Sequence, residues 1–230
     1  MAISLVPGQK ANTIGVGAGA SIAATMPAGV TAGNRIVVGV SCNDAGTVTG
    51  VTDDKSNTYV RELQFDDTVQ IGRWLECWSA KNIGGSTAPT VTAAFSGTPT
   101  GRTIVITEYT GDDNTAGHEG TASAAGNSTN PSTGNLSPTP TVNGELIFVF
   151  GLNSLGDLTA GSGYTLLFTE AGEGTASEYQ VQATAGPIAG VFVGGATTWA
   201  CIAVSFKPAS TGGGTSTLDS DYLIYQVVQP

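Results

Sequence analysis

The chain has few charges for its length: Asp, Glu, Lys and Arg make up only 11% of its 230 residues. The eight Lys and Arg stand singly, so no basic stripe exists to neutralise phosphates, and nucleic acid is not an expected partner. Histidine occurs once, as His118 in GDDNTAGHEG, and no serine or cysteine sits in a GxSxG-type elbow. A Ser-His-Asp relay therefore has no sequence support, and His118 reads as a solvated loop residue. The cysteines, Cys42, Cys77 and Cys201, are odd in number and lack CxxC spacing, which argues against a disulfide framework or a zinc site. Each lies in an apolar strand pattern and is expected to be a small core residue in a reducing compartment. The longest apolar runs, such as 146–152, fall far short of the ~20 residues that span a bilayer, so no membrane segment is expected. MAISLVPGQK has no basic start followed by a long apolar run, so no secretory leader is expected. Helical periodicity is missing as well.

What remains is rich in Thr, Val, Ala and Ser and holds 33 glycines, a composition suited to strands joined by tight turns. Strands are predicted over 35–41, 58–65, 68–80, 90–95, 102–109, 145–153, 164–170, 177–183, 189–193 and 198–207. Several alternate cleanly. Trp74 and Trp78 share one face of their strand, opposite Leu75 and Cys77, and either face is a candidate for the core. The net charge of −10 favours solubility at high concentration.

An internal echo organises these strands. GNRIVVGV at 33–40 resembles GELIFVFG at 144–151, VTDDKSNTYV at 51–60 resembles LTAGSGYTLL at 158–167, and RTIVITEYTG at 102–111 resembles TWACIAVSFKP at 198–208. Two copies of this kind form either two domains or two halves of one sandwich. One sandwich over 1–207 is the preferred reading, with halves at about 33–111 and 144–207 and the polar stretch 111–143 as the crossover. Residues 208–216 read as a Gly/Ser/Thr linker, and 217–230 as a C-terminal β arm. In that arm Tyr222, Leu223, Ile224, Tyr225, Val227 and Val228 are the candidate partner-binding residues. Docking onto the arm's own sheet edge and onto a neighbour's edge are both open.

The chemistry looked for is mostly missing. The carboxylate pairs Asp53–Asp54, Asp66–Asp67 and Asp112–Asp113 are adjacent in sequence and point apart on turns, so none spans a glycosidic bond by itself. VTDDKSNTY concentrates oxygen ligands but lacks a calcium-loop pattern, and turn chemistry accounts for its Asp and Asn. GVGAGAS at 15–21 is not framed by a strand and a helix, so it is no phosphate loop. No catalytic residue, metal ligand or cofactor is nominated. Trp74, Glu76 and Trp78 form either a core face or a sugar-stacking face, with Trp199 as a further candidate.

The run VTDDKSNTYV … RWLECWSAKNIGG … PTVTAAFSG … RTIVITEYTG, within residues 33–111, resembles jelly-roll-like β-sandwich domains of phage virion structural proteins and bacterial surface proteins. The resemblance implies an all-β, jelly-roll-like antiparallel sandwich without catalytic residues. Its expected role is that of a capsid decoration or cement protein on the virion, assembled in the host cytoplasm. The implied partners are other virion proteins, above all the major capsid protein, and further copies of the chain. The alternative is a carbohydrate-binding or adhesin-like module of a phage tail or bacterial surface, with surface carbohydrate as ligand.

Overall fold

The computed structural model describes residues 2–43, 46–68 and 70–210. These residues form an all-β antiparallel sandwich with no helix among them. A first five-stranded sheet has the order β1 (Ser4–Val16), β8 (Gly101–Thr110), β3 (Arg35–Asn43), β6 (Arg73–Ala80), β5 (Val60–Asp67). A three-stranded sheet of β2 (Ser21–Thr25), β7 (Thr90–Phe95) and β4 (Val48–Asp53) accompanies it. The second five-stranded sheet runs β9 (Thr121–Ser128), β16 (Thr197–Phe206), β11 (Glu145–Asn153), β14 (Thr175–Gln182), β13 (Thr165–Glu170). Its three-stranded companion is β10 (Ser132–Asn135), β15 (Ala189–Val193) and β12 (Thr159–Ala160). Adding eight to each strand number of the first two sheets reproduces the order of the second two.

The buried side chains form three apolar layers. One lies between the first five-stranded sheet and its companion and includes Ile36, Val38, Val40, Ile104, Ile106 and Trp78. Another lies under the second companion sheet, around Ile147, Val149, Phe192, Trp199 and Ala203. The third is central: Val37, Leu75, Cys77, Val105 and Tyr109 of the first large sheet meet Phe148, Phe150, Ile202, Val204 and Phe206 of the second. The choice between the two faces of β6 is thereby dissolved. Both faces are buried, Trp74 and Trp78 toward the companion sheet and Leu75 and Cys77 toward the centre. A strand covered on both sides must be apolar at nearly every position, which is why RIVVGVSC and ELIFVFGL read as runs rather than as alternations.

The two large sheets stack in reversed order. β1 lies by β13, where Lys10 Nζ donates to the Leu167 carbonyl at 2.9 Å, and β5 lies by β9. Gly39 sits at the closest approach. A Cβ there would stand 3.0 Å from the Phe150 ring and 3.4 Å from Phe148, so the missing side chain is what admits both phenylalanines. Tyr109 and Tyr179 close the same layer edge to face, with centroids 5.8 Å apart.

Six strands lie where none is predicted: β1, β2, β4, β9, β10 and the two-residue β12. β9 and β10 fall inside the polar crossover 111–143. β9, TASAAGNS, has almost no apolar side chain of size, and its conformation comes from the ladder with β16. Gly126 stands opposite Trp199 there, and a Cβ would approach that indole to 2.7 Å. β1 holds Pro7 and Gly8 at a register shift between Leu5 and Lys10, a disruption an edge strand tolerates.

Because the central layer belongs to both large sheets, the described residues should unfold in one cooperative transition in denaturant. Phe150→Ala should lower stability by about 3–5 kcal/mol, the usual cost of emptying an aromatic site in a core. Two separate transitions in the unaltered protein would contradict a shared central layer.

Candidate functional site

A cluster of ionisable groups sits at one end of the central layer, where the crossover leaves β8. Arg35, the first residue of β3, is only 1% exposed. Its Nε donates to Asp112 Oδ2 at 2.7 Å, Nη1 to Ser79 Oγ at 2.7 Å, and Nη2 to the carbonyls of Ala116 at 2.8 Å and Asp113 at 3.3 Å. The guanidinium also lies 4.6 Å from the centroid of Phe206, on β16. A planar fork with five donors is the side chain able to reach so many acceptors at once.

Glu62, on β5, completes the knot. Its Oε1 accepts the Ser79 hydroxyl at 2.5 Å and lies 3.9 Å from Arg35 Nη1; its Oε2 is 2.8 Å from His118 Nδ1. Burial pushes the Glu62 carboxyl up, but the hydrogen bonds from His118 and Ser79 and the charge of Arg35 outweigh it and hold the group below the ordinary range. At Asp112 the balance is reversed: burial dominates the attraction of Arg35 and raises the carboxyl. Asp112 Oδ1 is buried without a hydrogen-bond partner.

Beside the knot opens a cleft of about 320 Å³, lined by Thr58, Val60, Glu62, Lys81, Asn82 and Asn114 among others. Lys81 Nζ is tied to the Thr115 carbonyl at 2.7 Å, and Asn114 Nδ2 to the Gly33 carbonyl at 2.5 Å. The walls come from β5, the end of β6 and the crossover, which is held there by Arg35, Lys81 and Glu62 together.

The arrangement does not match an acyl-transfer relay. Such a relay has histidine between serine and carboxylate. Here Glu62 lies between Ser79 and His118, and Ser79 is 2% exposed with its oxygen already accepting from Arg35. His118, expected as a solvated loop residue, has a side chain 37% exposed and is nevertheless held by Glu62. The cysteines are all buried and unpaired. Burial pushes the Cys42 thiol up to about 12 and the other two well above the ordinary value, which keeps the nucleophilic thiolate out of reach.

The other candidates from the sequence lie elsewhere. Asp53 accepts from the backbone N–H of Lys55 and Asn57, from Asn57 Nδ2 and from the Tyr59 hydroxyl, so the VTDDKSNTY turn satisfies its own carboxylate. Among the described residues no group of three or more His, Cys, Asp or Glu could hold a metal ion. Trp78 is 9% and Trp199 7% exposed, and Trp74 packs against the first core, so the three indoles form no solvent-facing row. Glu76, between Trp74 and Trp78, is buried and accepts from the Trp78 indole at 2.7 Å. Tyr222, Leu223, Ile224, Tyr225, Val227 and Val228 lie outside the described residues.

Sequence reasoning missed Arg35, Glu62 and Ser79. A single cation at the mouth of a wholly apolar run was the one available signal, since a charge there must find partners when the strand is buried on both faces. No protein-family model, no curated protein and no solved structure matches the chain.

Arg35→Met should cost about 3–5 kcal/mol in denaturant unfolding, because it leaves Asp112 buried and unpaired. His118→Ala removes only a partly exposed contact and should cost less than about 1 kcal/mol. The reverse ranking would contradict the assignment of Arg35 as the centre of the knot.

Proposed function

We propose that the protein is a non-enzymatic structural component of a virus particle, a capsid decoration or cement protein that binds the major capsid protein and further copies of itself. The observation that carries this proposal is where the reactive and aromatic groups go. Arg35, Asp112, Glu62, Ser79, the three cysteines and two of the three tryptophans are all taken up in holding layers together. The chain as a whole has few charged residues, 11% of the sequence, and a net charge of −10. Each pair of sheets has eight strands, ordered β1-β8-β3-β6 opposite β2-β7-β4 in the first pair. That count and order support a jelly-roll-like description, in which β5 joins the larger sheet. Jelly rolls serve in viral capsids and in lectins.

The segment 217–230 belongs to the same proposal. Its apolar side chains, Tyr222 to Val228, favour burial at about 25 cal/mol per Å² of apolar surface, and addition to a neighbour's sheet edge would provide it. Assembly in the host cytoplasm and residence on the virion follow as part of the proposal.

A second reading has one observation in its favour. The cleft beside β5 presents a carboxylate, an ammonium, two amides and a hydroxyl in a recess of about 320 Å³, a donor and acceptor set suited to a sugar hydroxyl array. A carbohydrate-binding or adhesin-like module would use this cleft rather than the buried indoles.

A version ending at Ser210 should keep its β-sheet circular dichroism and most of its melting temperature, yet lose binding to virus particles in a co-sedimentation assay. Asn82→Ala and Asn114→Ala should leave that binding intact. Retained particle binding by the truncated protein, or its loss in the cleft variants together with saccharide binding by the unaltered protein, would overturn the cement reading in favour of the second.

A further inference from the structure

A second junction of the crossover lies at the start of β11. Glu145, the first residue of that strand, is fully buried. Its Oε1 accepts the backbone N–H groups of Thr141 at 2.9 Å and Val142 at 3.0 Å. Glu119, on the crossover, accepts the same Thr141 N–H at 3.2 Å through Oε2, and the Thr141 hydroxyl at 2.6 Å through Oε1. Two carboxyl groups sharing one N–H donor are necessarily neighbours. Lys207, just past β16, reaches Glu119 Oε1 at 2.9 Å. Glu145 Oε2, by contrast, is buried with no donor directed at it.

Two ionised carboxylates in contact within a buried site are strongly unfavourable, and a single proton held between them removes both the repulsion and the orphaned oxygen. We propose that Glu119 and Glu145 share one proton, the Glu145 O–H donating to the Glu119 carboxylate, and that this bond is a clasp which closes the crossover on the start of β11 and loosens when the proton is lost. The charged groups facing the pair are few. Lys207 neutralises Glu119, Asp113 acts on Lys207, and neither the turn residues Thr141, Val142 and Asn143 nor Gln182, paired with Glu145 on β14, titrates.

The direction of the proton affinities agrees with this geometry. Burial, with the Glu119 charge added, pushes the Glu145 carboxyl up to about 7. Burial acts on Glu119 as well, but donation from Glu145, Thr141 and Lys207 outweighs it and holds that carboxyl low. The folded chain thus keeps a proton on Glu145 where an unfolded glutamate has lost it. The stabilisation is complete below the ordinary glutamate value and is lost as the pH rises through about 7.

Hydrogen exchange at the Thr141 and Val142 amides reads the clasp directly. Their protection factors, corrected for the intrinsic rate, should fall about tenfold or more between roughly pH 6 and pH 8.5 in the unaltered protein. Glu145→Gln donates an amide N–H without titrating, so protection should stay high and flat across that range. In Glu119→Gln the repulsion from a second carboxylate is gone while the burial of Glu145 remains, so the fall should move to lower pH. A flat profile in the unaltered protein, or the same fall in either variant, would overturn the proposal. Should both variants fail to fold, a carbon-13 titration of the Glu145 carboxyl in the unaltered protein still decides. A midpoint near 7 supports the shared proton, and a midpoint at the ordinary glutamate value near 4.5 overturns it.

Discussion

Everything else in this structure depends on the apolar contact between the two large sheets. A sheet covered on one face can alternate apolar and polar side chains, but one covered on both cannot. The strands β3, β8, β11 and β16 therefore carry apolar or small residues at almost every position. The contact also sets tolerances on shape. Phe148 and Phe150 fill the space that Gly39 leaves open, and interiors packed at crystal-like density have little slack to absorb a change there.

Burying strands on both faces forces a second problem on the chain, because the polar residues at the strand ends are dragged inward with them. Several are met by specific partners. Arg35 takes Asp112, Ser79 and two carbonyls. Glu108, on β8, is fully buried and accepts from Gln9 Nε2, the Thr31 N–H and Asn34 Nδ2, which ties the long edge strand β1 and the turn before β3 to the sheet. Glu178 is met less fully, with one donor in the Gly161 N–H, and burial raises its carboxyl to about 8. A carboxyl in that position resolves the deficit by keeping its proton rather than by finding a cation. A buried ion pair gains little over a well-packed apolar pair, whereas removing one partner leaves the other buried and unpaired.

The crossover between β8 and β9 is the element on which these solutions converge. Asp112, Asp113, Asn114, Ala116 and His118 join it to the first sheets, while Glu119 and the Gly120 N–H, which donates to Ser205 Oγ, join it to the second. It also meets the end of β16: Asp113 N–H donates to the Lys207 carbonyl and Ala209 N–H to the Gly111 carbonyl. A segment that reads as a polar spacer is, in the folded molecule, the seam along which the layers are fastened.

Much of the architecture was legible from residues alone. Apolar runs at 35–41, 102–109, 145–153 and 198–207 marked the four central strands, because continuous burial demands a continuous pattern, and the burial of Cys42, Cys77 and Cys201 followed from the apolar strand pattern around each. The strands β1, β9 and β10 were not legible. Their Gly, Asn, Ser and Thr carry no period, and the hydrogen-bond ladders that make them strands belong to their neighbours. Nor could the sequence bring Arg35, Glu62, Ser79 and His118 to one point, or set Glu119 beside Glu145. Periodicity reports which face of its own strand a side chain occupies. Which other strand end lies across from it is decided only when the sheets stack, and that stacking sets the company of every buried charge.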